Sequence, residues 1–388
     1  MFPDYNFYST TLLVLILQGL IFAALLLKRY IQERKLSDLF LFFIVLLTCY
    51  RTTTYVIGFM GWYDTFRNTK VNYFMLDTAF VIGPLIYFYL KTLTQPYFSF
   101  KKVHLWHFLP FTVEVTVALF VLIYDAQQPG FYDSQNGVLY RRFYMESGLI
   151  SVVIGMVSQF IYYSMCITIY LNFRKEILQL FSNTYSVELN WLRNFLFIYI
   201  GLFLFNQIYF NVIGNFFVDL SWTQRWWWFF ANALAVFYVG IRGYFSRADD
   251  LKELRIIPTI SESTPSSANP TSSSELDTIL EKMKNDRLYL SSQLTLASLA
   301  EQVDMSPNQV SSYINSGTGK NFNDFVNEFR VDAVKNALLE PQNAHLSILG
   351  IALDCGFNSK ATFNRVFKKF TGCSPSQYLN ELNKAPHV

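Results

Sequence analysis

The chain has 388 residues, of which 52% are hydrophobic, 18% aromatic and 15% charged. An ordinary soluble domain carries about 25% charged residues, so a chain bathed in water along its whole length is excluded, and the length allows roughly two or three domains. Up to Ile257 there are 20 Lys/Arg against 15 Asp/Glu, and from Pro258 onward 11 against 13, so any polyanion must meet the C-terminal part through a local patch rather than its net charge.

Seven apolar windows are long enough for a helix to cross a hydrocarbon core of ~30 Å, which takes about 20 residues. They run approximately Ser9 to Leu27, Asp38 to Gly58, Tyr73 to Leu90, Leu105 to Ile123, Gly148 to Leu171, Asn194 to Phe217 and Trp226 to Tyr244. The first is too long for a signal-peptide core and lacks a basic leader and a small-residue cleavage site, so it is expected to stay as a helix. Lys28, Arg29, Arg34 and Lys35 follow window one, Lys91, Lys101 and Lys102 follow window three, and Arg174, Lys175 and Arg193 follow window five. The intervening loops hold fewer basic residues, so the positive-inside bias puts the N-terminus outside and the C-terminus inside. The run RWWWFF, Arg225 to Phe230, reads as an aromatic belt at the outer face.

Ionisable groups inside spans are expensive and mark function by default. Arg51 and Asp77 fall in the outer halves of windows two and three, with Asn211, Asn215 and Asn232 at similar depth. They define a candidate signal pocket open to the outside; the alternative is that Arg51 snorkels and the Asn residues bond neighbouring helices. His104 and His107, with Glu114 two turns on, hold metal-ligating chemistry, yet their spacing is not that of the metalloprotease helix. A structural role is the preferred reading, and no metal or cofactor is expected. The four cysteines lie far apart without disulfide or zinc spacing. No nucleophile elbow, phosphate-binding glycine loop or catalytic carboxylate pair is found, so no enzyme is expected.

Residues 1–250 thus form the expected membrane domain and 251–274 a juxtamembrane segment with a linker, PTISESTPSSANPTSSS, that cannot bury a core. Residues 275–382 change to short amphipathic helices, and 383–388 are a tail. A helix from Leu296 to Val303, capped by Thr295, is followed by a break at Asp304 to Ser306 and a second helix opened by Pro307, which is helix-turn-helix patterning. A second copy places Ile348, Ile351 and Ala352 inward, turns at Gly356, and continues with Phe363, Val366, Phe367 and Phe370 on one face. Lys360, Asn364, Arg365, Lys368 and Lys369 occupy the other face. A long amphipathic helix with Phe322, Phe325, Val326 and Phe329 joins the copies. The fold class is therefore all-α, a polytopic helical bundle followed by a small soluble helical domain.

Residues 275–382 resemble the DNA-binding domain of the AraC/XylS family of transcription regulators. The resemblance rests on Ile348, Ile351 and Ala352, Gly356-Phe357-Asn358-Ser359, Phe363, Arg365, Phe367-Lys368-Lys369, Gly372, Ser374-Pro375 and Tyr378. The first copy is similar through Leu299-Ala300, Met305-Ser306, Gly319 and Phe322, with Arg330 and Ala333 in the joining helix. It implies double-stranded DNA as partner, with base readers at Asn308, Gln309, Ser311 and Ser312 in the first copy and at Lys360, Ala361, Asn364 and Arg365 in the second. Lys368 resembles a phosphate contact, and Lys369 lies beside it on the basic face. The first recognition helix departs from many members in lacking Lys and Arg, so the second copy is expected to supply most affinity. The resemblance further implies a bacterial protein, hence the cytoplasmic membrane with the C-terminal domain in the cytoplasm, and RNA polymerase as a partner. The combination reads as a membrane-anchored one-component regulator in which the bundle senses an unidentified signal and a homodimer transmits it. The alternative is a transporter or receptor whose C-terminal domain docks proteins.

Overall fold

The computed structural model describes residues 2–65, 78–95, 97–127, 139, 148–182, 189–214, 217, 220–245, 273–343 and 345–384. The described elements are helical, and the chain divides into two compact units. The first comprises Met1–Tyr170 and Asn190–Ala248, the second Leu171–Leu189 and Asp249–Val388.

In the first unit the helices are α1 (Phe7–Glu33), α2 (Leu36–Phe59), α3 (Ala79–Thr94), α4 (Leu109–Gln127), α5 (Gly148–Leu180), α6 (Leu189–Asn206) and α7 (Trp222–Phe245), with α4 entered through a tighter 3-10 segment at Lys102–Phe108. Residues of all seven apolar windows fall on these helices. Among the described residues, five helical stretches are long and apolar enough to cross a membrane: Phe7–Glu33, Leu36–Phe59, Lys102–Gln127, Ser151–Leu180 and Asn190–Phe210. Helix α3 has 16 residues and is shorter than those five. The length of α7 suffices, but its Trp, Asn, Gln and Arg residues make it less apolar.

Helix α2 is the hub, packed against α1, α3 and α7. Small residues permit the close approach, as in helix packing without water: a Cβ on Gly19 of α1 would come within 2.3 Å of Val236 and 2.7 Å of the Cys49 sulfur. At one end of the bundle the Arg29 guanidinium grips the Asp38 carboxylate through two hydrogen bonds of 2.7 and 2.6 Å, and also donates to the carbonyls of Gly243 and Tyr244. One charge pair thus ties three helix ends. At the other end Asn6 caps α1 and donates to the Phe59 carbonyl at 2.8 Å, while the Trp226 indole donates to the Tyr8 carbonyl at 3.0 Å.

The second unit contains α8 (Ser273–Asn285), α9 (Leu296–Gln302), α10 (Pro307–Thr318), α11 (Phe322–Leu339), α12 (Ile348–Asp354), α13 (Lys360–Thr371) and α14 (Pro375–Lys384). Helices α9 and α10 form one helix-turn-helix, α12 and α13 the other, and α11 joins them. The two turns are built alike. Asp304 (φ 52°) and Gly356 (φ 89°) both adopt the left-handed conformation, and the next residue's amide bonds back to an alanine carbonyl: Met305 to Ala300 and Phe357 to Ala352, each at 3.0 Å. Val331 and Val334 of α11 share a core with Ile351, Ala352, Phe357, Phe363, Val366 and Phe367.

One boundary differs from the sequence expectation. Hydropathy ends the fifth window at Leu171, yet α5 continues to Leu180, giving 33 residues, or about 50 Å at 1.5 Å per residue. Its last turns and the residues after it belong to the second unit, because Phe181 and Ser182 are hydrogen-bonded there. Residues 246–272, which include most of the Pro/Ser-rich segment, lie outside the described residues.

Gly356 is the most constrained turn. A Cβ there would lie 2.5 Å from the Tyr289 carbonyl oxygen and 3.0 Å from Nε of Arg330, and the left-handed backbone adds strain of order 1–3 kcal/mol for a non-glycine residue. Gly356→Ala is expected to destabilise the second unit by at least that amount. Hydrogen exchange on the full chain should show amides around 289–291 and 352–370 exchanging roughly tenfold faster or more, at about 1.4 kcal/mol per tenfold.

Candidate nucleic-acid interface

Each recognition helix starts at a serine cap. Ser306 accepts from the Gln309 amide and Pro307 occupies the first turn of α10; Ser359 accepts from the Thr362 amide at the start of α13. Helix N-termini carry partial positive charge and free N–H groups, which favours approach to phosphate.

On α13 the inner face is Phe363, Val366 and Phe367, fully enclosed. Lys360, Ala361, Asn364, Arg365, Lys368 and Lys369 are exposed on the other side. The basic face expected from sequence therefore exists, with Ala361 leaving room for close backbone approach. Its charges are not equally free, because Lys369 Nζ lies 2.6 Å from the Asp324 carboxylate of α11. Lys369 belongs to an ion pair bridging α13 and α11, and a phosphate would have to compete with Asp324 for the same ammonium.

On α10, Asn308, Gln309 and Ser312 are exposed and Ser311 half-buried. Gln309 has a second duty: its Oε1 accepts from the Ser306 amide at 3.0 Å and the Ser306 hydroxyl at 2.9 Å, a capping box. Bidentate bonding to adenine needs both ends of the amide, so Gln309 reads a base only by giving up the cap. Ser311 accepts from Asn315 at 3.3 Å. Asn308 and Ser312 remain the open polar groups of this helix, and Asn315, exposed on its next turn, joins them. The i+3 and i+4 spacing from Ser312 and Ser311 would have found Asn315.

Behind the reading helices lies a buried polar cluster that the sequence patterning did not reveal. Arg330 of α11 is 1% exposed. Its Nε donates to the Tyr289 carbonyl and one terminal nitrogen to the Ser291 carbonyl, both at 2.7 Å. It also reaches Asn327 Oδ1 at 3.2 Å and the carbonyl and hydroxyl of Ser182 at 3.3 and 3.1 Å. Burial lowers its pKa to about 10, so it stays charged at neutral pH. Asn323 donates to the carbonyls of Phe181 and Ser182 at 3.0 and 2.8 Å, and the Ser182 hydroxyl donates to the Leu294 carbonyl at 2.6 Å.

The signal-pocket residues part company. Arg51 and Asn232 line one cavity of about 290 Å³ in the first unit, together with Tyr55, Asn206, Arg225 and Trp228. Asn211 lies on a π-helical segment, Gln207–Ile213, that continues α6; its side chain, like Asp77 and Asn215, lies outside the described residues. Arg225 and Trp228 are the residues sequence reasoning missed, since both sit in the run read as an interfacial belt. His104 and His107 are engaged locally, His104 accepting from the Lys101 amide at 3.0 Å and His107 bonding the Tyr162 hydroxyl at 2.7 Å.

Residues 299–381 match a family described as a helix-turn-helix domain. An uncharacterized HTH-type transcriptional regulator of Staphylococcus aureus (strain COL) is 34% identical over 94 residues, covering 24% of this chain and 12% of that one. The uncharacterized HTH-type transcriptional regulator YobQ of Bacillus subtilis (strain 168) is also 34% identical over 94 residues, covering 24% of this chain and 38% of its own. The family match lies in the second unit, and the chain spans well under half the length of these relatives. No solved structure matches the chain. The family match and the relatives support a DNA-binding regulator, in agreement with the exposed basic helix α13.

The two adjacent lysines of α13 should separate in a salt titration. Removing one phosphate-neutralising side chain lowers the slope of log affinity against log salt by about 0.9. Lys368→Ala should remove about one such unit of slope, measured by fluorescence anisotropy on duplex DNA between 50 and 200 mM salt, whereas Lys369→Ala, already neutralised by Asp324, should remove clearly less.

Proposed function

We propose that this chain is a membrane-anchored one-component transcription regulator. Two helix-turn-helix units bind specific duplex sites, and the apolar bundle holds the signal-receiving pocket. The observation that carries the reading is the presence, in one chain, of a basic reading helix on a tandem helix-turn-helix frame and of five helical stretches long and apolar enough to cross a bilayer. The positive-inside bias of the loops favours the cytoplasmic side for the DNA-binding unit. Binding of a signal changes transcription insofar as its affinity differs between two states of the bundle, and contact with RNA polymerase converts occupancy into output.

The division of labour between the units follows from their charges. Helix α13 supplies phosphate attraction and base contacts through Lys360, Asn364, Arg365 and Lys368. Helix α10 has no charged residue and contributes discrimination through Asn308 and Ser312. Signals reach the frame along two covalent routes, the segment 246–272 and the α5 end with Leu171–Leu189.

The decisive experiment selects sheared genomic DNA with the full-length protein in detergent or nanodiscs at moderate salt. A small set of enriched sites, lost in Asn364→Ala/Arg365→Ala, is expected. Enrichment without sequence preference, or the same sites recovered by the double variant, would remove the regulator reading.

A further inference from the structure

We propose that the 290 Å³ cavity of the first unit binds a small carboxylate anion with a flat apolar body. The inference rests on the signal-pocket reading and names the ligand's chemistry. Two guanidiniums line this space, Arg51 of α2 and Arg225 of α7, the latter with its Nε donating to the Leu220 carbonyl at 3.1 Å and a hydrogen bond to the Tyr55 hydroxyl, and no Asp or Glu is among the described residues of its wall. Arg51 lies 4.6 Å from the centre of the Trp228 ring, stacked on it. The indole N–H of Trp228, a residue only 4% exposed, has no hydrogen-bond partner among the described residues. A buried donor left open and cations held in an apolar bundle are both costly, and one acceptor-rich anion satisfies them together.

The shape of the donors selects among anions. Arginine forks match the two oxygens of a carboxylate, and the indole N–H adds a third, fixed direction. Asn232 and Gln159 are partly committed, donating to the carbonyls of Trp228 at 2.8 Å and Ala79 at 3.3 Å. The remaining wall is largely aromatic, with Tyr55, Phe203, Phe210 and Phe229, which suits a ring or other flat hydrocarbon. The volume corresponds to roughly ten waters at ~30 Å³ each, at the small end of ligand pockets. The π-helical segment Gln207–Ile213 contributes Gln207 and Phe210 to the wall, and such bulges recur at functional sites.

The test uses the full chain in nanodiscs with phenylacetate and indole-3-acetate as probes, phenylacetamide as the neutral isostere, and inorganic phosphate as the tetrahedral anion. Saturable quenching of tryptophan fluorescence and a rise in melting midpoint are expected with the carboxylates, and at least tenfold weaker effects with the amide and phosphate. Arg51→Gln should abolish the response, and Trp228→Phe, which keeps an aromatic ring and removes the N–H, should weaken the carboxylate-induced rise in melting midpoint. No saturable response to either carboxylate, equal binding of the amide or phosphate, or an Arg51→Gln protein that still binds would overturn the assignment. If it fails while the genomic selection still returns specific sites, the ligand class falls and the regulator reading stands.

A separate set of contacts carries a second inference: the geometry points to Phe181–Ser182 as the latch that seats the DNA-binding frame on the end of α5. Phe181 pairs with Thr295 in a single β-bridge. Ser182 is 1% exposed and is bonded by Asn323, Arg330 and Leu294, the last through both its amide and its hydroxyl. Withdrawal of this dipeptide would strip Asn323 and Arg330 of buried acceptors, so the seated arrangement is cooperative rather than graded. To test it, a protease site is placed within 258–272 of the full chain, the protein is immobilised through an N-terminal tag, and the chain is cut. The C-terminal fragment should stay on the resin, and Asn323→Ala or Ser182→Pro should release it. Immediate release of the unsubstituted fragment, or retention by both variants, would overturn the latch.

Discussion

The second unit holds a buried charge, Arg330, with no countercharge among the described residues. The five acceptors of Arg330 are three main-chain carbonyls, a serine hydroxyl and an asparagine amide, all neutral. A guanidinium desolvated in this way is tolerated because its planar fork satisfies several carbonyls at once, which a lysine ammonium does not do. The consequence is geometric. Nε holds the Tyr289 turn, a terminal nitrogen holds Ser291, and the Gly356 turn is pressed against the same group, within 3.0 Å of where its Cβ would be. The segment before the first helix-turn-helix and the turn of the second thus meet at one side chain, and the Phe181–Ser182 dipeptide enters the same node.

The first unit uses the opposite solution. Arg29 and Asp38 neutralise each other, with the guanidinium's other hydrogens spent on the carbonyls that end α7. This closes one end of the bundle and leaves the interior contacts to small residues and aromatic rings. The other arginines of the unit that meet its cavity, Arg51 and Arg225, have no carboxylate among the described wall residues. Arg29 spends its charge on the fold, Arg225 is partly spent on the Leu220 carbonyl and the Tyr55 hydroxyl, and Arg51 lines the cavity stacked on Trp228. The contrast between Arg29 and Arg51 within one apolar bundle makes that distinction concrete.

How much of this is legible in the sequence depends on the range of the interaction. Helical periodicity and caps are local, so both helix-turn-helix units, the Thr295 and Ser306 caps and the inward phenylalanines of α13 can be read directly. Described residues of each of the seven apolar windows likewise fall on helices. Contacts across the chain cannot be read. The Lys369–Asp324 pair spans 45 residues, and the Asn323–Ser182 bond spans 141, with no spacing rule to announce either. The end of α5 escapes hydropathy, which falls at Leu171 while the helix does not; polar residues beyond it are stabilised by partners more than a hundred positions away. Gln309 shows a different failure, since Ser-x-x-Gln at 306–309 is a visible capping signature that competes with a reading role for the same atoms.

The two recognition helices answer differently to any loosening of this frame. Helix α13 carries its own attraction to phosphate, so it retains contact with any duplex even when its orientation relaxes. Helix α10 has only neutral groups, whose hydrogen bonds discriminate bases when their positions are fixed and contribute little otherwise. The partners of Phe181–Ser182 are Leu294 and Thr295 in the turn before α9, Asn323 at the start of α11, and Arg330, against which the Gly356 turn of the second helix-turn-helix packs. Unseating the dipeptide therefore reaches both copies, the first through Asn323 and the second through Arg330 and the Gly356 turn. Because both copies loosen together, α10 would lose its base discrimination while α13 would keep its attraction to phosphate.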